Sequence, residues 1–73
     1  MMLENCKPGV RVRYYPSGRD RPGFVGVVRE EPWQLGDGKW VTHLHQMEQA
    51  YRGGVKTTVH GAWVDGLDLV SKA

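Results

Sequence analysis

Long apolar runs are missing from this chain: nothing in its 73 residues approaches the ~20 consecutive apolar positions that a membrane-spanning helix needs. That excludes a helical membrane protein. Cysteine is nearly absent. The single Cys6 cannot form an internal disulfide and has no CxxC partner, which points to a reducing, cytoplasmic setting. The opening Met1-Met2-Leu3-Glu4-Asn5-Cys6 has no basic segment followed by an apolar one, so no signal peptide is expected. Repeats, low-complexity tracts and internal linkers are lacking too, which predicts one domain over residues 1–73 with its core within 7–70. Only the first six and the last few residues look dispensable. No GxSxG, P-loop or GxGxxG motif occurs, and the glycines read as turns and bends. Glu30-Glu31 is no catalytic carboxylate pair, because adjacent strand residues point to opposite faces. A chain this short buries about 60% of its unfolded surface, enough for one small core and no second layer. A buried multi-residue catalytic cleft within one subunit is therefore not expected, although an oligomer could build one between subunits.

What is present is an ordinary globular composition, 40% hydrophobic and 25% charged, with 10 Gly and 4 Pro to punctuate it. The net charge of +2 conceals an asymmetry. Residues 1–29 carry six cations against two acids, residues 30–73 four against six, and five of the six Arg fall in the first 29 positions. One basic edge of this kind would attract phosphates or an acidic partner, or it simply solubilises a strand face.

Val10-Arg11-Val12-Arg13-Tyr14-Tyr15 alternates with period two, which predicts a half-buried strand with Val10, Val12 and Tyr14 inward and Arg11, Arg13 and Tyr15 outward. A polar Pro/Gly loop over 16–23 follows. Residues 24–30 form a second predicted strand, in which Gly26 suggests a sharp bend or a close backbone approach. Pro32 stops it, 35–38 make a turn, and 39–44 form a third strand. Residues 46–52 are good helix formers ending in Gly53-Gly54; they fit one or two helical turns or the arms of a long hairpin. Residues 55–60 alternate as a fourth strand that Gly61 breaks, and Trp63 to Val70 supply a closing segment. Five short strands with hardly any helix predict an all-β barrel or sandwich, and at this size a strongly bent five-stranded barrel hides its edges best.

The run Lys7-Pro8-Gly9-Val10-Arg11-Val12-Arg13, the loop after it, Gly23-Phe24-Val25-Gly26-Val27-Val28, and the closing Trp63-Val64-Asp65-Gly66-Leu67-Asp68-Leu69-Val70 resemble SH3-like small barrels of the KOW/Tudor type. The resemblance implies the fold and no single function, because such barrels host nucleic-acid-binding, peptide-binding and oligomeric enzyme members. The type II dihydrofolate reductases are similar in length and barrel pattern. Their pore rests on a Val-Gln-Ile-Tyr segment that is absent here, where Thr58-Val59-His60-Gly61-Ala62-Trp63 stands instead.

His43, His45 and His60 form a conceivable zinc set only if His43 lies opposite His60; with His43 opposite Thr58 they read as ordinary surface histidines, and no metal or other cofactor is expected. A Cys/His hydrolase is not expected either, since Cys6 lies in a predicted loose N-terminus. Trp40 and Trp63 sit in strand patterns and read as core. Trp33 sits in an acidic, proline-bearing loop, available to stack on a base, to cap a proline-rich peptide, to bind a cation, or to fold back as a lid over one barrel end. The strongest combination is Arg11, Arg13 and Tyr15 on one strand face with Arg19 and Arg21 on the adjoining loop: guanidinium forks for phosphates beside aromatic surface for bases. A non-enzymatic module is expected that binds nucleic acid through these five residues, with Trp33 as a stacking residue and no membrane partner. The alternatives are an adaptor that binds a protein or itself across Trp33, Tyr15 and the 16–23 loop and, more remotely, a small-molecule site between subunits of a homo-oligomer.

Overall fold

The computed structural model describes residues 1–46 and 58–72. Within them the chain is all-β: a single-turn 3-10 helix (Leu3–Asn5), then β1 (Arg11–Tyr14), β2 (Phe24–Val28), β3 (Trp33–Gln34), β4 (Trp40–Gln46) and β5 (Thr58–Trp63), a 3-10 turn (Val64–Gly66) and β6 (Asp68–Ser71). Every ladder is antiparallel, and the strands run in the order β5-β4-β2-β1-β6. The sixth strand beyond the expected five is β3, which pairs with the first residues of β4 while β2 pairs with its last, so both lie along one edge of β4. Among the described residues no ladder joins β6 to β5 or β3, and the sheet is bent but not closed. The reading of 46–52 as helix or hairpin lies outside the described residues beyond Gln46, which continues β4, as do Val55 and Thr57 of the fourth predicted strand.

The β1 pattern is realised as its alternation requires. Val12 is fully buried and Val10 nearly so, Arg11 faces solvent, and Tyr14 meets Phe24 edge-on at 5.4 Å between ring centroids. The core consists of Val10, Val12, Val28, Leu44, Ala62, Val64 and Leu67, closed from below by Cys6. Each of the larger aliphatic side chains contributes about 1.5–3 kcal/mol by leaving water. Cys6 corrects the expectation of a loose and dispensable N-terminus: it is 1% exposed, and Met1 packs against the same cluster. The 3-10 turn accounts for this, because the Cys6 amide donates to the Leu3 carbonyl and folds the terminus back under the sheet.

Gly26 is the close-approach glycine its sequence position suggests. A Cβ there would lie 2.9 Å from the backbone carbonyl oxygen of His45, so β2 and β4 come together only because position 26 has no side chain. Past β2 the chain turns a corner. The Arg29 amide donates to the His43 carbonyl, and the buried Thr42 hydroxyl donates to the Glu30 carbonyl at 2.8 Å, which pins the corner before β3. The turn expected over 35–38 is present, with the Gly38 amide donating to the Leu35 carbonyl and the Leu35 amide to the Lys39 carbonyl.

Two tryptophan expectations are overturned: Trp40 is 38% exposed and Trp63 is 55% exposed. Trp40 shares the core-facing parity of Thr42 and Leu44, but its row lies past the end of the core. There it lines a hollow with Met2, Leu3 and Pro32. Trp63 is turned outward by a bulge. Leu44 pairs with Val59 and Thr42 with Ala62, so two steps on β4 face three on β5, and Gly61 takes φ +71° to hold the extra residue. The extra residue exchanges inside for outside: Ala62 enters the core and Trp63 leaves it. Gly61 therefore continues the strand that it was expected to break.

Gly26→Ala should cost about 1–3 kcal/mol by forcing β2 away from β4, read as a lower midpoint in thermal unfolding. Burial, then the negative charge of Glu31, raises the Cys6 thiol pKa above its ordinary value. Cys6 should thus react slowly with an aromatic disulfide reagent at pH 8 in the folded protein and at once in guanidinium.

Candidate functional site

Cross-strand partners share a face, so the registers give the outer surface row by row. Val27 stands opposite His45, and His45 opposite Thr58. In the next row Arg29 adjoins His43, whose ring meets that of His60 at 4.8 Å, and the Arg29 guanidinium donates to the Thr58 hydroxyl at 3.4 Å. In the third, Trp33 stands opposite Val41 and Val41 opposite Trp63. Arg11 and Arg13 extend the same face across β1, opposite Val27 and Val25. The outer surface therefore carries Arg11, Arg13, Arg29, three His and two exposed Trp, and the buried Val41 lies between the Trp side chains.

Trp33 is not a lid over a barrel end. It belongs to β3, where its ring meets His43 edge-on at 4.7 Å. His43 is thus held between Trp33 and His60. The Gly61 amide donates to His43 Nδ1 at 3.1 Å, which leaves the ring proton on Nε2, facing Glu30 Oε1 at 3.6 Å. The bulge brings His43 and His60 together. His45 does not join them: it stands two residues along β4, roughly 7 Å away, opposite Thr58. Among the described residues no three His, Cys, Asp or Glu side chains converge on a point where a metal could sit.

The basic set divides into parts. Tyr15 and Arg19 come together on Asp68: the phenol donates to Oδ2 at 2.6 Å, the Arg19 guanidinium to Oδ1 at 2.8 Å, and the guanidinium lies 4.9 Å from the centre of the Tyr15 ring. Arg13 donates to the Pro22 carbonyl at 3.1 Å, which ties β1 to the base of the 16–23 loop. Arg11 is exposed in the row of Val27, and Arg21 is exposed on the loop, where it lines a groove with Pro16, Pro22 and Phe24. Trp33 is separated from Tyr15 along the sheet, but Trp63 is not: Tyr14, Tyr15, Ala62 and Trp63 line one hollow of 240 Å³ along the unclosed seam. Lys39 Nζ sits 3.9 Å from the centre of the Trp63 ring.

The Tyr15 hydrogen bond, then that of Arg19, holds the Asp68 carboxyl below its ordinary pKa, and the same contact raises the Tyr15 phenol. Sequence reasoning missed three members of this surface, Arg29, Trp63 and the Glu30 carboxylate beside His43, and read the three His only as a metal set or as ordinary surface histidines. The available signal was Gly61. A glycine in the middle of an alternating strand marks a bulge as readily as a break, and a bulge reverses the side of everything beyond it.

No protein-family model, curated protein or solved structure matches this chain. Among the described residues no helix is long and apolar enough to cross a membrane.

Replacing Asp68 with Asn should let Tyr15 ionise at lower pH, seen as an earlier rise in phenolate absorbance during alkaline titration. A carboxyl whose folded pKa is depressed stabilises the fold above its unfolded pKa, about 3.9, and loses that contribution as pH falls through the lower folded value. Asp68→Asn should accordingly make the loss of thermal stability below about pH 4 shallower.

Proposed function

We propose that this chain is a non-enzymatic binding module of the SH3-like small-barrel type, and that its outer sheet face holds nucleic acid. The observation that carries this reading is the gathering of Arg11, Arg13, Arg29, the three His and Trp33 on one face, row by row, through the strand registers. Their spacing suits a polyanion. Neighbouring strands bring cationic side chains to within about 5 Å of aromatic or aliphatic ones, so phosphates and bases find partners side by side. The strand order β5-β4-β2-β1-β6, with the final strand returning to β1, supports the barrel type.

Within this reading the roles differ. Arg11 and Arg21 are exposed cations for phosphate oxygens. Arg13 supplies charge while its guanidinium braces the loop that carries Arg19 and Arg21. Tyr15 and Arg19 are set in place by Asp68, and Trp33 by His43. The Asp68 carboxylate neutralises part of the charge at the Tyr15 corner, so the central rows at Arg11 and Arg29 carry most of the attraction.

A mixed-sequence oligonucleotide should bind saturably at about 50 mM salt and lose at least about tenfold in affinity by about 200 mM. The double variant Arg11→Ala/Arg13→Ala should weaken binding and flatten the plot of log affinity against log salt, since each lost phosphate contact removes close to one unit of slope. Equal affinity and equal slope in the double variant would sink the reading.

A further inference from the structure

Beyond the basic face there is a line of three aromatic rings, two exposed tryptophans and a half-buried tyrosine, each with a nitrogen-bearing neighbour against it. Trp33 has the His43 ring at 4.7 Å, Trp63 has Lys39 Nζ at 3.9 Å, and Tyr15 has the Arg19 guanidinium carbon at 4.9 Å. Trp33 and Trp63 share one cross-strand row through Val41, and Trp63 and Tyr15 share the hollow at the seam. The three rings thus form a continuous track from β3, over β5, to the end of β1. Building on the nucleic-acid reading above, we propose that this track is a stacking platform for single strands, with Trp63 as its central residue.

The geometry argues for a single strand over a duplex in two ways. Trp33 and Trp63 stand on strands either side of β4, two strand spacings or about 10 Å apart. Neighbouring bases in a duplex lie about 3.4 Å apart and cover one another's faces, so adjacent bases cannot each rest on one of these rings without leaving the stack. A single strand can splay its bases, and every base offers a π-face to an aromatic ring whatever its sequence. The charges fit the same ligand: Lys39 and Arg19 lie over the Trp63 and Tyr15 rings, and a base that stacks there moves each cation from the ring face onto a neighbouring phosphate. A ring whose position is fixed by a neighbour also loses little freedom when a base stacks on it. At 55% exposure Trp63 is the most open tryptophan among the described residues, and Trp33 is exposed at 37%.

The test measures anisotropy of a labelled 12-nucleotide DNA strand, the matching RNA strand, and the DNA strand annealed to its complement. Wild type is compared with Trp63→Ala, Trp63→Phe and Arg11→Ala/Arg13→Ala. Both single strands should bind about tenfold more tightly than the duplex; Trp63→Ala should lose about tenfold on the single strands and little on the duplex, and Trp63→Phe should keep most of the affinity. RNA and DNA strands bound alike place the recognition in the bases, whereas a preference for one adds a sugar contact to the platform. A duplex bound as tightly as the single strands overturns the platform. So does a Trp63→Ala variant that binds single strands like wild type while the arginine variant is weakened, and in that case the basic face stands alone. Wild type that binds none of the three probes removes the nucleic-acid reading itself, and the platform with it. A concentration-dependent dimer in sedimentation that Trp63→Ala abolishes would reassign the track to a second copy of this chain. The fold of each variant is verified by its thermal transition, and Trp63→Phe keeps an aromatic ring over the seam.

Discussion

One residue without a pairing partner on β4 decides how this sheet presents its side chains. Gly61 adds a single position to β5 opposite His43, and a positive φ lets pairing with β4 resume at Ala62 beyond the bulge. Before it, Val59 faces the core and His60 faces out; after it, Ala62 faces the core and Trp63 faces out. The amide of the same residue then fixes the His43 ring through Nδ1. Core packing at Ala62 and Val64, the meeting of His43 with His60, and the row Trp33–Val41–Trp63 all follow from that inserted residue. An alanine at position 61 would meet no crowding, so the constraint is one of backbone conformation, not space.

Much of the scaffold is readable along the chain because its causes are local. Alternation over Val10 to Tyr14 defines β1 and its two faces, and Pro16 and Pro32 lie where strands give way to loops. Gly26 could be understood as a close approach before the neighbouring strand was known. Where the cause lies across the sheet, sequence alone fails. Asp68 is 53 residues from the phenol that donates to it, and no local pattern relates the two. Glu30 reaches His43 only because Thr42, buried on the opposite side of β4, holds the Glu30 carbonyl at the corner. Trp63 reads as core from its strand-like surroundings and its size, and only the pairing with β4 reveals the bulge that turns it outward.

The functional residues divide along the same line. Arg11 and Arg13 were visible because strand alternation puts them on one side, and there they stand. The same alternation puts Tyr15 on that side, and Arg19 and Arg21 join it only through nearness in sequence on the adjoining loop. The structure separates that group: Tyr15 and Arg19 share a carboxylate, whereas Arg21 faces the loop groove. Charges satisfied inside the molecule offer less to a partner than charges facing water, so counting arginines overstates the attraction at the Tyr15 corner. What the corner gains is rigidity, with the phenol and the guanidinium locked to one acceptor.

The folded-under N-terminus has a practical bearing on handling the molecule. Cys6 seals the bottom of the core, and Met1 lies against it, so any peptide fused ahead of Met1 begins at the core's own boundary. A bulky leader there competes with the 3-10 turn for the same space, and trimming the first six residues opens the core to water from below. The 16–23 loop is a different kind of place: Pro16, Ser17, Gly18, Arg19, Asp20, Arg21 and Pro22 are all exposed. A label that must leave the hydrophobic interior untouched is better carried on Ser17 than on either side of the lone thiol.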